Sequence, residues 1–156
     1  MILAREGFGG IEREAYIVVL EFTTLNWVAV IAAAIAGGVV GAIWYSPPLF
    51  GNRWAISVGG KPMTMSDMMV PKVLVGAIVM PLLMAYVLTL LIGGVGATSL
   101  VNGAIVGFLA WLGFSAMTAL NAFVYDGRSS TWLMITAGYS LVTLVVMGAV
   151  IGYLGA

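Results

Sequence analysis

The chain has 156 residues, of which 62% are hydrophobic and 8% charged, and its formal net charge is zero. Soluble domains carry about 25% charged residues, so a soluble globular fold is excluded, and without net positive charge no basic field is available for nucleic acid. The absence of Cys and His removes disulfides, thiolate nucleophiles and sulfur metal sites, together with the commonest metal ligand and general base.

Residues 1–22 form a charged arm that holds Arg5, Glu6, Glu12, Arg13, Glu14 and Glu21, half of all the charges. The apolar run at residues 16–20 is too short to span a bilayer. Glu21 interrupts the core that a cleaved secretory signal would need, so none is expected. Thr24 or Asn26 is placed to cap the helix that follows.

Residues 23–156 read as one all-α transmembrane domain, a bundle of four spanning helices at about 26–45, 68–92, 100–125 and 130–154. The first contains no charge, and a helix crossing about 30 Å of hydrocarbon needs roughly 20 apolar residues. Trp27 and Trp44 lie about 26 Å apart along a helix axis, close to the separation of the two bilayer interfaces, where Trp and Tyr concentrate. Trp44 and Tyr45 therefore read as anchors, with a ligand clamp as the alternative. Pro47 disfavours helical geometry at Ser46 and ends the span. Ala29, Ala33, Gly37 and Gly41 recur every fourth residue. Small residues at this spacing let two backbones approach closely, either within one subunit or between subunits.

Residues 46–66 are the longest connection, punctuated by Pro47–Pro48, Gly59–Gly60 and Lys61–Pro62 and apolar in between. They read as an interfacial loop or short helix. Ser66 is the expected N-cap of the second span, with Asp67 in its first turn, where the helix dipole favours an anion. Methionines cluster at residues 63–69, and without His or Cys beside them they read as adaptable packing rather than a metal site. Pro71 falls in the opening turns of the second span. Pro81, in its middle, predicts a kink that sets shape or acts as a hinge.

No charge occurs between Lys72 and Asp126. A single helix of that length would reach about 80 Å, so the run must fold back. Gly93, Gly94, Gly96, Thr98 and Ser99 mark the turn. The third span carries the small pair Gly103 and Gly107. Asp126–Gly127 is a turn signal, with Asp126 and Arg128 read as a solvated turn. In the fourth span Trp132 and Tyr153 are again spaced as two anchors, and Gly148 and Gly152 form another small pair.

Ser115, Thr118 and Asn121 recur at three-residue intervals on span three, and Thr136, Tyr139, Ser140 and Thr143 share a face of span four. Antiparallel pairing matches Asn121 with Thr136, Thr118 with Tyr139 and Ser115 with Thr143. A polar seam is expected there, as helix–helix glue or as the lining of a path for a small polar ligand or ion. Arg53, Lys61, Lys72 and Arg128 lie on the side of connections one and three, against Arg5 and Arg13 on the other. Positive charge stays in the cytoplasm, so the termini are expected outside.

The segment WYSPPLFGNRW, Trp44 to Trp54, resembles the signature of an uncharacterised family of small prokaryotic membrane proteins, a domain of unknown function. Its usual form has Leu where Pro48 stands. Asn121 to Leu154 is similar to the same family's closing stretch, and the likeness covers nearly everything after residue 24. The resemblance implies four spans in a prokaryotic cell membrane and no assigned activity.

An enzyme is not expected. Membrane proteases need a Ser–His pair, paired buried Asp or His-rich zinc ligation, and no cofactor or metal is implied. A proton-coupled carrier would place a carboxylate inside a span. The expectation is a non-catalytic packing module that assembles with itself or joins a larger membrane complex. The alternative is a passive channel or uncoupled carrier.

Overall fold

The computed structural model describes residues 25–156, so the charged arm of residues 1–22 and Thr24 lie outside the described residues. Among these the chain is all-helical: α1 Trp27–Trp44, α2 Asn52–Ser57, α3 Met65–Met68, α4 Pro71–Gly94, α5 Leu100–Ala110, α6 Met117–Tyr125 and α7 Ser130–Leu154. Two π-helical turns, Pro47–Gly51 and Trp111–Ala116, precede α2 and join α5 to α6. With that joint, Leu100–Tyr125 is a continuous third span. Among the described residues four helices are long and apolar enough to cross a membrane, as expected for a multi-pass membrane protein.

Caps and turns follow from local chemistry. The Asn26 side-chain oxygen accepts from the amides of Val28 and Ala29 at the start of α1. Ser99 and Ser129 do the same for α5 and α7, accepting from Asn102 and Trp132. Gly96 and Gly127 sit at φ of 65° and 67°, a region L-residues seldom adopt, and they turn the chain between α4 and α5 and between α6 and α7.

The second span starts later than Ser66. Thr64 and Asp67 close a separate one-turn helix, α3: the Asp67 carboxylate accepts from the Thr64 amide and hydroxyl at 2.7 Å each. Those two hydrogen bonds hold the Asp67 carboxyl below its ordinary value. Val70 then takes an extended conformation before Pro71, and Pro71 opens α4 at a position where a missing N–H is harmless. α4 runs unbroken through Pro81, which is buried and is the first buried residue along that helix.

α7 is the central rod. α5 and α1 pack on it from two sides, and α4 packs mainly on α1. α1 and α5 run antiparallel to α7, whereas α4, which also touches α7, runs parallel to it. The Asn26 amide donates to the carbonyls of Leu154 and Gly155, both at 3.1 Å, tying the start of α1 to the end of α7. The opposite end of α1 meets α7 near Ile135 through Trp44. Trp27 stacks on Tyr86 with ring centroids 6.0 Å apart, so α4 also runs counter to α1. Both connections 45–70 and 126–129 therefore emerge at one end of the bundle, and Asn26, the α4–α5 turn and Gly155 lie at the other.

Two kinds of contact hold α7. A side chain at Gly103 would run into the Gly148 carbonyl, one at Gly107 into the Leu144 carbonyl, and one at Gly152 into the Ser99 carbonyl. α5 and α7 thus touch backbone to backbone. On the other flank Ala29, Ala33 and Gly37 are buried. Met147 occupies the space a Gly37 side chain would need, and Tyr139 Oη lies 3.1 Å from where a Gly41 Cβ would stand. The aliphatic core, with Val30, Ala33, Leu88, Ile92, Met147 and Ile151, fills the half of the bundle nearer the termini.

Gly148→Val forces α5 away from α7. It should lower the melting temperature in detergent by several degrees, reflecting an overpacking loss of about 1–3 kcal/mol. Gly113→Ala, whose new methyl meets nothing within 4 Å, should not lower it.

Candidate functional site

The segment from Trp44 to Trp54 folds into a compact reversal where α1 meets the beginning of α7. Ser46 Oγ donates to the Ile43 carbonyl at 2.7 Å, and the Gly51 amide donates to the Ser46 carbonyl at 3.1 Å. A Cβ at Gly51 would collide with the Tyr45 carbonyl oxygen and stand 2.9 Å from that of Ser46. Only glycine fits this turn. α2 then runs back beneath the end of α1, and the Met63 amide, donating to Asn52 Oδ1 at 2.8 Å, closes the connection.

This reversal gathers aromatic rings around α7. Trp44 packs on Phe50 with centroids 4.7 Å apart. Tyr45 takes the edge of Trp54 at 5.6 Å and the edge of Tyr139 at 4.9 Å. The Trp44 ring fills the space beside Gly138. Its Nε1–H donates to the Ile135 carbonyl at 3.1 Å. From the opposite flank the Trp111 Nε1–H donates to the Ala137 carbonyl at 2.9 Å. In hydrocarbon an indole N–H has no water to turn to, so both find spare lone pairs on α7. Two indoles, one from each neighbour, thus clamp a single turn of the central rod from its two flanks.

The structure does not join the two halves of the expected polar seam. Thr136, Tyr139 and Ser140 are half-buried and Thr143 is fully buried, all toward α1 or the axis, but Thr118 and Asn121 are exposed and Ser115 is half-buried. The Thr118 hydroxyl donates to the Phe114 carbonyl within its own span, and Ser140 Oγ donates to the Ala137 carbonyl within α7. The cause is the π-helical turn at Trp111–Ala116. Simple α-helical spacing from buried Gly107 puts residues 114, 118 and 121 on the inner face. A π turn is wider and advances each residue less about the axis. Ala116 and Ala119 are buried instead, and Phe114 is 72% exposed. The hydroxyls of Thr136 and Thr143 are buried without a hydrogen-bond partner among the described residues.

Of the other expected anchors, Trp27 and Tyr153 are exposed at the terminal end, 57% and 74% respectively. Trp132 is half-buried at the opposite end, with the Arg128 guanidinium 5.5 Å from its ring centroid. Phe50 and Trp54, both within the segment singled out in sequence, belong to the aromatic group, whereas Trp111, which was not singled out, packs on Phe108 and the aliphatic core from the other flank. Trp111 carried a signal all the same, since an indole deep in an uncharged run must find an acceptor. The aromatic group holds only phenol and indole donors. On the outer face of α6, Met117, Thr118, Asn121, Ala122 and Asp126 line an open cleft of about 360 Å³.

Residues 28–152 match the family described as protein of unknown function, DUF1761, and the chain belongs to that family. No curated protein and no solved structure matches the chain.

Trp44→Phe removes one of the two indole donors and should destabilise the bundle by about 0.6 kcal/mol, the usual worth of such a bond in a membrane, and by no more than about 2. Thr143→Val, which replaces an unpaired buried hydroxyl with a methyl, should leave stability unchanged or raise it by about 1 kcal/mol. Thermal or denaturant unfolding in detergent micelles measures both.

Proposed function

We propose that this multi-pass membrane protein is a non-catalytic helix-packing module that assembles with itself or serves as a small subunit of a larger membrane complex. The observation that carries this reading is the backbone-close contact of α5 with α7 through Gly103, Gly107, Gly148 and Gly152. It fills the space where a bundle of this kind would otherwise hold a substrate. The residues available for chemistry agree with it. Asp67 and Asp126 sit at helix ends on one side of the bundle, away from the midplane. The alternative, a passive channel or uncoupled carrier for a small polar solute or ion, rests on the open cleft along Thr118 and Asn121. That wall faces outward, so a wet path along it runs between subunits. Reconstitution in lipid nanodiscs separates the two. The packing reading expects a defined oligomer or a co-purifying complex and no solute flux in liposomes. A steady flux that Asn121→Leu abolishes overturns it in favour of the channel.

We infer the orientation from charge: Arg53, Lys61, Lys72 and Arg128 belong to the end that holds connections one and three, against Arg5 and Arg13 in the arm, and the positive-inside rule favours that end in the cytoplasm with the termini outside. The chain has no Cys, so single substitutions report cleanly. In intact cells a membrane-impermeant maleimide should label Val95→Cys, in the α4–α5 turn, and should label Ser66→Cys only after the membrane is opened. The reverse pattern refutes the assignment.

A further inference from the structure

We propose that the open cleft on the outer face of α6 binds the headgroup of a membrane phospholipid carrying a primary ammonium, of the ethanolamine type. This site is independent of the packing-module reading. Its lining is graded. Met117 and Thr118 lie toward the bilayer interior, Asn121 and Ala122 come one turn nearer the helix end, and Asp126 stands at the rim. Met117 lies deepest and the one carboxylate, Asp126, stands at the rim, the order an amphiphile requires. At about 360 Å³ the space is at the small end of ligand pockets and suits a compact headgroup with the first carbons of its chains.

The charge at the rim selects the ligand. Asp126 is the C-cap of α6. The C-terminus of a helix carries partial negative charge and favours cations, so a carboxylate there is misplaced for the stability of the helix alone. Carboxylate and helix end together make a strongly cation-attracting spot. The nearest Arg in sequence does not neutralise it, because Arg128 directs its guanidinium to the Trp132 ring, 5.5 Å away. The Arg128 amide nevertheless caps the same helix end, donating to the Ala122 carbonyl at 3.4 Å. The ammonium of such a headgroup donates to the Asp126 carboxylate and the Asn121 side-chain oxygen, both of which line the cleft. A trimethylated headgroup has no N–H to donate, and an anionic glycerol headgroup is repelled by Asp126. The depth also fits. Tyr125, beside Asp126, is 79% exposed at the helix end where aromatic side chains meet headgroups.

The test is native mass spectrometry of the full chain in detergent, titrated with phosphatidylethanolamine, phosphatidylcholine and phosphatidylglycerol of identical acyl chains. Wild type should take up the ethanolamine lipid with about fivefold preference, the scale of a single exposed charge pair. Asp126→Asn should reduce its uptake to that of the choline lipid and raise that of the anionic glycerol lipid. Asn121→Leu, which keeps the carboxylate, should lower uptake partially, and it serves as the second variant if Asp126→Asn fails to fold. Equal uptake of all three lipids by wild type, or an undiminished preference in both variants, overturns the proposal. Uptake of soluble ethanolamine by wild type with no adduct of any lipid identifies a water-borne cation as the ligand and overturns the proposal. A dimer that breaks up in Asn121→Leu and takes no lipid assigns the face to a second copy.

Discussion

The bundle depends on how closely two helices can approach α7. Inside a bilayer an aliphatic side chain gains little by leaving lipid for protein, because both are apolar. Association must come from distance, from atoms brought nearer than lipid tails can come. On one flank the glycines of α5 and α7 bring main chain against main chain, and a single added methyl would strike a carbonyl. On the other flank Gly37 receives Met147, and Gly138 receives the Trp44 ring. The indole hydrogen bonds follow from this closeness. Trp44 and Trp111 reach the carbonyls of Ile135 and Ala137 at 3.1 and 2.9 Å, and neither reach survives a displacement of its helix by the width of a side chain.

The two ends of the bundle solve the packing problem with different materials. Toward the termini the filling is aliphatic, built from Val30, Leu88, Ile92, Met147 and Ile151. Toward the charged connections it is aromatic, and the rings come from the reversal between Trp44 and Trp54. Pro47 and Pro48 stop α1, Gly51 allows the main chain to pass over itself, and α2 carries Trp54 back to Tyr45. Pro47, Pro48, Gly51 and Trp54 are thereby explained as parts of a turn and its ring packing.

Much of this was legible in the chain. Length and hydropathy delimit the four long helices because hydrocarbon forces every span to close its own amide bonds. The turns at Gly96 and Gly127 were marked by residues suited to positive φ. Two features were hidden for physical reasons. Ser66 and Thr64 are equally good cap residues, and the choice between them is made by Asp67, which stands three residues after Thr64 and closes a separate turn with it. The π-helical turn at Trp111–Ala116 has no local residue code, since it trades one hydrogen-bond register for another with the same groups. Every face read beyond it by simple periodicity is rotated, and that rotation moved Thr118 and Asn121 outward.

The outward move divides the polar side chains into those that settle their needs alone and those that do not. A threonine on a helix can return its hydroxyl to the carbonyl four residues back, as Thr118 does to Phe114 and Thr89 to Ala85. Such residues cost little wherever they face. Asn121 carries both a donor pair and an acceptor, and it shares its cleft with a carboxylate at the wrong end of a helix dipole. The interior of this protein is closed around α7 by glycine, methionine and indole contacts, with the buried hydroxyls of Thr136 and Thr143 left unpaired among the described residues. The outer face of α6 is built differently, with hydrogen-bonding capacity and charge set where the bilayer meets water.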